Sequence, residues 1–210
     1  MPKDQDELVR TVARDVDDER IVEAFRTVAR ADFVPAGSRR EAYRDRPVLL
    51  PREQTTSQPS LIARMIAAAR VQPGDKVLEI GTGYGFQTAL LAKLARKVVS
   101  VERQQELATA AAENLARVGI GNATVVVGDG WEGWAETAPY DAVIVSAAAE
   151  SVPRALADQL VEGGRLVIPL STGRSDDVLL FVKRAGRLER ESLITPARFV
   201  PLPHGVVRKD

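Results

Sequence analysis

Apolar residues in the first third of the chain recur with the spacing of amphipathic helices. In residues 21–34, IVEAFRTVARADFV, the apolar positions follow an i, i+3, i+4, i+7 pattern: Ile21, Val22, Phe25, Val28 and Ala29. Asp17 or Asp18 is placed to cap this predicted helix, and Pro35-Ala36-Gly37 would end it. A second helix is predicted over about residues 61–70.

From Gly74 onward, short apolar runs alternate with helical patterns. The predicted strands are residues 76–80, 97–101, 124–127, 141–146 and 165–170, and the helices between them cover 86–95, 104–118 and 152–160. The runs DVLLFVKR and RLERESLI predict a hairpin across Ala185-Gly186. Continuous apolar strands that alternate with helices indicate a mostly parallel sheet covered on both faces. We therefore expect an α/β fold: a doubly wound, mostly parallel sheet with an antiparallel C-terminal edge hairpin and an N-terminal helical addition.

The strongest local signal is a glycine-rich loop between the first predicted strand of the sheet and the next helix. Glu79 precedes Gly81-x-Gly83-x-Gly85, which lets a ligand approach the backbone closely at the carboxyl edge of the sheet. Phe86 stands where a dinucleotide fingerprint needs glycine or alanine, and no Gly-Lys-Ser/Thr follows to make a P-loop. An acid this close to the first glycine suits a cofactor that carries an ammonium group. The alternative is a purely structural strand–helix turn.

Two further acids end the next two predicted strands. Glu102 is placed to accept the hydroxyl hydrogen bonds of a ribose, and Asp129 to accept from an adenine amino group. Either acid alone would more often be a solvated strand-end residue or a helix cap. Together with Glu79 and the glycine loop, they fit a nucleoside with an amino-acid tail, which is S-adenosylmethionine.

The polar segment Gln54–Pro59 precedes the helix predicted near residue 61. Ser57 or Gln58 followed by Pro59 makes a good helix start, so a simple cap is one interpretation. The alternative is that these hydroxyls and amides face a substrate. Trp131 and Trp134 are expected to pack in the core rather than stack on a ligand. Ser146–Glu150, with small side chains, leaves room for a substrate or forms a tight loop.

The amino-acid composition limits the kinds of partner and of catalytic or metal site that the chain can have. Lysine plus arginine (29) balance aspartate plus glutamate (29), so no overall field favours nucleic acid or an anionic membrane. The lack of cysteine excludes disulfides and thiolate sites, and the single histidine, His204, provides no cluster for a metal. The charged N-terminal residues lack the apolar core of a signal peptide, and no apolar stretch reaches the roughly 20 residues that span a bilayer. We expect a soluble, cytoplasmic protein.

The shortage of acid–base residues favours a particular acceptor. A methyl group on a sulfonium is already activated, so the main task of an enzyme is alignment of the reacting atoms. Amine and hydroxyl acceptors commonly need a base, whereas a carboxylate with a pKa of about 4 is ionised at neutral pH. His204 is expected to be exposed, although a lysine or a carboxylate could still serve as a base. Carboxyl methylation is therefore favoured.

Several segments, in order along nearly the whole chain, resemble the protein-L-isoaspartate O-methyltransferase family. They are QTTSQPSLIARM, VLEIGTGYGFQTALLAKL, VVVGDGWEGW, YDAVIVSAAAESVP, LVEGGRLVIPL and ARFVPL. The resemblance implies a Rossmann-like methyltransferase that moves a methyl group from S-adenosylmethionine to the α-carboxyl of L-isoaspartyl residues in aged proteins. The ester then collapses to a succinimide, which partly reopens as normal aspartate. A monomeric cytosolic enzyme without metal is also implied.

Site residues follow from the resemblance by position. Ser57 would lie beside the acceptor carboxylate, with Gln54, Thr55 and Thr56 around it, and Val200 would hold the substrate peptide through its backbone. The implied cofactor-binding residues are Glu79, Gly81, Thr82, Gly83, Gly85, Glu102, Asp129 and Gly130. A single methyltransferase domain is expected, with a helical region and active-site loop (1–72), a cofactor-binding core (73–170) and a substrate-side segment (171–210).

The chain departs from the family pattern on the substrate side. The family usually has Gly-x-Gly before Gln-Thr, but here Arg52-Glu53 precede Gln54, and the residues after Leu202 also differ. Two alternatives therefore stay open: a methyltransferase that acts on another carboxylate or a small molecule, and a non-catalytic protein that binds the cofactor.

Overall fold

A computed structural model describes residues 3–52 and 54–207. The α-helices are α1 (Lys3–Asp15), α2 (Glu19–Thr27), α3 (Pro59–Ala69), α4 (Phe86–Leu94), α5 (Gln105–Arg117) and α6 (Arg154–Asp158). The strands are β1 (Val48–Leu49), β2 (Thr55–Thr56), β3 (Lys76–Ile80), β4 (Lys97–Glu102), β5 (Ala123–Val127), β6 (Tyr140–Val145), β7 (Leu160–Ser171), β8 (Asp176–Arg184) and β9 (Arg187–Ala197). Short 3-10 helices cover Arg30–Phe33, Ala36–Glu41 and Ala135–Thr137.

Seven strands form one sheet in the order β5-β4-β3-β6-β7-β8-β9. The first five are parallel, and β8 and β9 extend the sheet as an antiparallel hairpin. The chain winds outward in one direction from β3 and in the other direction from β6, so the switch point lies between these two neighbours. The predicted doubly wound sheet with an antiparallel edge is confirmed.

Alternation along the strands divides the core into two layers. Val77 packs with helices α2, α3 and α4, whereas Leu78 and Ile80 pack on the opposite face of the sheet. Because successive strand residues point to opposite faces, Glu79 shares the face of Val77. This places an acidic side chain in the layer between the sheet and α4.

The helix predicted over residues 21–34 ends earlier, at Thr27. Asp18 caps α2, since its carboxylate accepts from the Arg20 N–H at 3.0 Å. Val28 is already extended (φ −103°, ψ 106°), and the chain re-forms only as a 3-10 turn that contains Arg30. Arg30 and Phe33 in this turn are both fully buried.

A second boundary also differs from the expectation. The helix predicted over 152–160 is only α6, and β7 begins at Leu160 rather than after Gly163-Gly164. Leu160 pairs with Tyr140 before a register shift, so the glycines lie within an irregular stretch of the strand. None of the helices in the described part of the chain is both long and apolar enough to cross a membrane.

Candidate active site

A cavity of about 390 Å³ opens at the carboxyl ends of β3, β4 and β6, beside the switch point. Open α/β sheets bind ligands at this position, because the loops that leave neighbouring strands diverge there. Of the sequence-predicted residues, ten line the cavity: Gln54, Thr55, Thr56, Ser57, Gly81, Thr82, Gly83, Glu102, Gly130 and Val200. Glu79, Gly85 and Asp129 lie outside its lining.

The glycine loop brings the backbone to the cavity wall. Gly83 has φ +57°, and a Cβ added there would lie 3.2 Å from the Leu50 side chain, which covers the loop from above. Gly85 has φ +91° and precedes α4, but its missing side chain faces Leu115 and Ala111 on α5. Gly83 therefore forms part of the cavity wall, whereas Gly85 allows the loop to pack closely against α5.

Glu102 ends β4 with its carboxylate beside the glycine loop. One oxygen accepts from the Gly83 N–H and the other from the Gln104 N–H, each at 3.0 Å. Burial raises the pKa of Glu102, while these backbone N–H bonds oppose the shift. The carboxylate is thus held in place by the loop and keeps further lone pairs to accept from a diol in the cavity.

Glu79 is fully buried behind the cavity instead of facing it. Its carboxylate accepts from Ser100 Oγ at 2.6 Å, from Thr88 Oγ1, and from Gln87 Nε2 at 3.0 Å. Burial raises the pKa of Glu79 to about 7, although these hydrogen bonds lower it. Ser100 is its register partner on β4, so both side chains point into the same layer.

Gln87 connects this buried acid to the cavity. Its Nε2 also lies 3.0 Å from Ser146 Oγ, and both Gln87 and Ser146 line the cavity. The two amide hydrogens are therefore divided between Glu79 and Ser146. Because one lone pair of Ser146 is taken by this bond, its O–H remains able to donate into the cavity. Gln87 was not predicted as a site residue, and an amide side chain in the first turn of the helix, directly after the glycine loop, is the signal that could have found it.

Asp129 holds the C-terminal segment. Its oxygens accept from the Trp131 N–H at 2.9 Å and the Gly205 N–H at 2.6 Å. His204 stacks on Trp131 with ring centroids 4.5 Å apart, and its Nδ1 lies 3.9 Å from Asp129. The expected exposure of His204 is confirmed, since 72% of its side chain is accessible. Both tryptophans pack against the core, as predicted.

The polar segment Gln54–Pro59 crosses the mouth of the cavity. Strands β1 and β2 form a small hairpin there, and α3 starts at Pro59 as the capping interpretation expected. Gln58 is the N-terminal boundary residue, but its side chain does not cap the helix; instead it donates to Asp45 at 2.9 Å. Arg52 pairs with Glu106 at 3.3 Å beside the cavity, while Glu53 lies outside the described residues.

A buried arginine fixes the course of this segment. Arg30 donates to the carbonyls of Ala42, Arg44, Arg46 and Ser57 and to Thr56 Oγ1, at distances of 2.9–3.1 Å. Burial lowers the pKa of Arg30 to about 10, so it stays charged at neutral pH. It gathers oxygen atoms from residues 42–57 around one cation. The sequence did not predict a role for Arg30, because four of its five partners are backbone carbonyls, which carry no sequence signal.

A second cavity of about 260 Å³ adjoins the first. The two share the lining residues Thr55, Ser57, Ser146 and Val200. Three residues with hydroxyl groups, Thr55, Ser57 and Ser146, thus line the junction, and the second cavity is also lined by α3, the end of β9 and the segment that follows it. We call the second cavity the acceptor cleft.

The doubly wound sheet, the G-x-G-x-G loop at its switch point and the acidic end of β4 define a class I methyltransferase. A profile of the protein-L-isoaspartate(D-aspartate) O-methyltransferase family matches residues 3–206, and the chain belongs to this family. The predicted resemblance is confirmed.

Relatives over most of the chain carry the same name. Protein-L-isoaspartate O-methyltransferase of Methanoculleus marisnigri is 49% identical over 90% of this chain and 86% of its own length. That of Koribacter versatilis is 47% identical over 90% of this chain and 85% of its own.

Solved structures agree on the fold. One protein-L-isoaspartate O-methyltransferase superposes with a TM-score of 0.85 at 30% identity; the match covers 94% of this chain and 65% of that longer chain. A Plasmodium falciparum protein described as a candidate for the same activity, solved with S-adenosyl-L-homocysteine, gives 0.82 at 24% identity over 94% of this chain and 97% of that one.

Proposed function

We propose that this protein transfers a methyl group from S-adenosylmethionine to the free α-carboxyl of L-isoaspartyl residues in damaged proteins and peptides. The observation that carries the proposal is the junction of two cavities at Ser57 and Ser146. A cofactor cavity beside the glycine loop meets a cleft open to a peptide, with hydroxyl groups between them. Family membership supplies the substrate class.

The larger cavity fits the cofactor by the chemistry of its donor and acceptor groups. Glu102 offers carboxylate oxygens to a ribose, and Gly81 and Gly83 bring the backbone close to the amino-acid tail. Gly130 supports the apolar wall for a base, since a Cβ added there would lie 2.5 Å from Ile80 and 3.0 Å from Leu202. When bound, S-adenosylmethionine supplies an electrophilic methyl group on a sulfonium.

The remaining predicted cofactor residues act from behind the cavity wall in this proposal. Thr82 bonds Ser100 at 2.6 Å, and Ser100 in turn bonds Glu79. Glu79 therefore orients Gln87 rather than contacting the cofactor. Gly85 permits the tight turn into α4, and Asp129 anchors the segment that carries Leu202.

On the acceptor side, Ser57 and Ser146 orient a carboxylate that is already ionised. Such a nucleophile needs no general base, because its pKa of about 4 lies far below neutral pH. The chain's contribution is alignment of one carboxylate oxygen with the methyl carbon and exclusion of water. Arg30 holds the carbonyl of Ser57, which fixes the backbone from which the hydroxyl projects.

Val200 contributes through its backbone in this scheme. Its carbonyl accepts from the Ala148 N–H at 2.8 Å, so the carbonyl already has a partner. The Val200 N–H donates to no acceptor among the described residues. We assign this N–H, beside the junction, to a carbonyl of the substrate peptide.

A labelled methyl group tests the proposal. Enzyme, methyl-labelled S-adenosylmethionine and an isoaspartyl peptide should give a base-labile methyl ester, while the normal aspartyl peptide of the same sequence should give none. Equal labelling of both peptides would point to another carboxylate as the substrate. Binding of S-adenosylhomocysteine with no label on either peptide would leave only a cofactor-binding protein and reject the proposal.

A further inference from the structure

The charged side chains that line the acceptor cleft are all positive. Among its lining residues the charged side chains are Arg64 and Arg198, and no aspartate or glutamate lines it. The chain as a whole is electrically balanced, with 29 basic and 29 acidic residues, so this local excess is not a reflection of composition. An excess of one sign along a cleft attracts ligands of the opposite sign.

Arg198 is the uncompensated charge. It is exposed, and it has no ion pair or hydrogen bond with any residue in the described ranges 3–52 and 54–207. Its backbone is nevertheless held on both sides. Ala197 ends β9, and the Phe199 N–H donates to Asp176 Oδ2 at 2.7 Å. The backbone at Arg198 is therefore held in place beside the cleft, and all N–H donors of the guanidinium are available to a ligand.

Arg64 faces the cleft from α3 and is only partly compensated. One terminal nitrogen lies 3.1 Å from Asp15 Oδ1, and 41% of the side chain remains accessible. The nearby acid Asp45 is already engaged, since its two oxygens accept from the Ser60 N–H and from Gln58 Nε2, each at 2.9 Å. Neither Asp15 nor Asp45 lines the cleft, so the surface presented to a peptide is basic.

We propose that this cleft selects isoaspartyl peptides that carry a second carboxylate close to the modified residue, and that Arg198, assisted by Arg64, is the specificity determinant. The inference rests on the proposed function, because it concerns the peptide whose α-carboxyl lies at the junction of the two cavities. An extended peptide advances about 3.3 Å per residue. Arg198 precedes Val200, which lines both cavities, by only two residues, so a glutamate or aspartate within three positions of the isoaspartate is the group that should reach it.

The expected size of the preference follows from the exposure of both arginines. Exposed ion pairs are weak, and two of them together should change kcat/KM by about 3- to 10-fold. Charged contacts at the rim act mainly on association, so the effect should appear chiefly in KM and shrink as salt is raised.

A peptide series measures this directly. Isoaspartyl peptides of one sequence carry glutamate, glutamine or lysine at a single position, scanned over the three residues on each side. We expect the highest kcat/KM for glutamate and the lowest for lysine at one or two of these positions. Equal values for all three residues at every position, or a preference for lysine, would overturn the proposal.

Variants then assign the effect to the arginine. Arg198→Gln should abolish most of the glutamate preference, and Arg198→Glu should invert it towards lysine, while the rate on the glutamine peptide stays within about 2-fold. Arg190→Gln is the matched control, because Arg190 is an exposed arginine on β9 that does not line the cleft. A preference that survives Arg198→Glu unchanged rejects Arg198 as the determinant.

The two proposals fail in distinguishable ways. If no isoaspartyl peptide is methylated, the proposed function fails, and the charge series has no signal. If all peptides are methylated at the same rate regardless of charge, the function stands and only the inference about Arg198 is wrong.

Discussion

Gln87 Nε2 lies 3.0 Å from the carboxylate of Glu79, and this contact joins a buried acid to the wall of the cofactor cavity. The same nitrogen reaches Ser146, which stands where the two cavities meet. Any effect of Glu79 on the site would therefore pass through Gln87. The Glu79 carboxylate itself is fully buried and surrounded by three donors.

Glu79 should make the stability of the fold depend on pH. Burial raises its pKa from 4.5 to about 7, so in this window the folded protein holds a proton that the unfolded chain releases. The contribution of Glu79 is then fully present below about pH 4.5 and is lost as pH rises towards 7. The free energy of unfolding should fall by up to about 3 kcal/mol across the window.

Glu79→Gln is the variant that tests this. Glutamine keeps an acceptor for Gln87 and does not titrate, while its amide N–H groups can donate to the hydroxyl oxygens of Thr88 and Ser100. We expect urea unfolding at pH 5, 6, 7 and 8 to show a flatter dependence for the variant. Because Glu102 and the other titrating groups are common to both proteins, the difference between the two curves isolates Glu79. Parallel curves would mean that Glu79 does not titrate in this window.

Ser57→Ala and Ser146→Ala should both slow methyl transfer without weakening the binding of the cofactor. Both serines line the junction, and loss of one hydrogen bond to the bound carboxylate costs about 1–3 kcal/mol, or roughly 5- to 150-fold in kcat/KM. The dissociation constant of S-adenosylhomocysteine, measured by calorimetry, should change by less than about 2-fold. Ser146→Thr retains the hydroxyl and should recover part of the rate. Unchanged kcat/KM in Ser57→Ala would reject its acceptor-side role.

The glycine loop and the strand-end acid Glu102 could be predicted from sequence because both depend on local order: a strand, a turn and a helix in succession. Glu79 illustrates the limit. The sequence places Glu79 two residues before Gly81. Whether its side chain faces the cavity or packs against α4 depends on the face of β3 to which it points. Position alone does not reveal that face when both faces are buried.

Arg30 illustrates a different limit. Its partners are mostly carbonyl oxygens that lie 12 to 27 residues ahead and come together only in the folded chain. The apolar periodicity predicted that the helix continues through residues 28–34. The buried packing of Phe33 and the hydrogen bonds of Arg30 to those carbonyls outweigh the helical preference of this stretch.

Arg30→Met should therefore destabilise the protein and disorder the approach to the active site. Methionine fills similar volume but leaves one buried and three partly buried carbonyls without donors, which should cost about 3–5 kcal/mol. Arg30→Lys keeps the charge but lacks the planar set of donors, and should recover only part of the loss. Denaturant unfolding measures the stability.

Hydrogen exchange of residues 42–57 reports where the damage lies. Faster exchange in that segment, with α5 unchanged under conditions where both variants are folded, is the expected pattern. Uniform acceleration over the whole chain would indicate a general core defect instead of a positioning role for Arg30.

Asp129 should influence the cofactor through the C-terminal segment. Its carboxylate accepts from the Gly205 N–H, and the segment it anchors supplies Leu202 and Pro203 to the cavity wall. In Asp129→Asn, one acceptor oxygen is replaced by an amide N–H that opposes a backbone N–H. We expect release of the segment and a dissociation constant for S-adenosylhomocysteine that rises about 5- to 150-fold, from roughly 1–3 kcal/mol of lost contacts.

His204→Ala distinguishes anchoring from stacking. It removes the ring that lies 4.5 Å from Trp131 but keeps the Gly205 N–H, so tryptophan fluorescence should change while cofactor affinity stays within about 2-fold. Asp129→Asn should alter both readouts, because the stack depends on the anchored segment. If Asp129→Asn weakens cofactor binding without any change in tryptophan fluorescence, Asp129 contacts the ligand directly and the anchoring role is wrong.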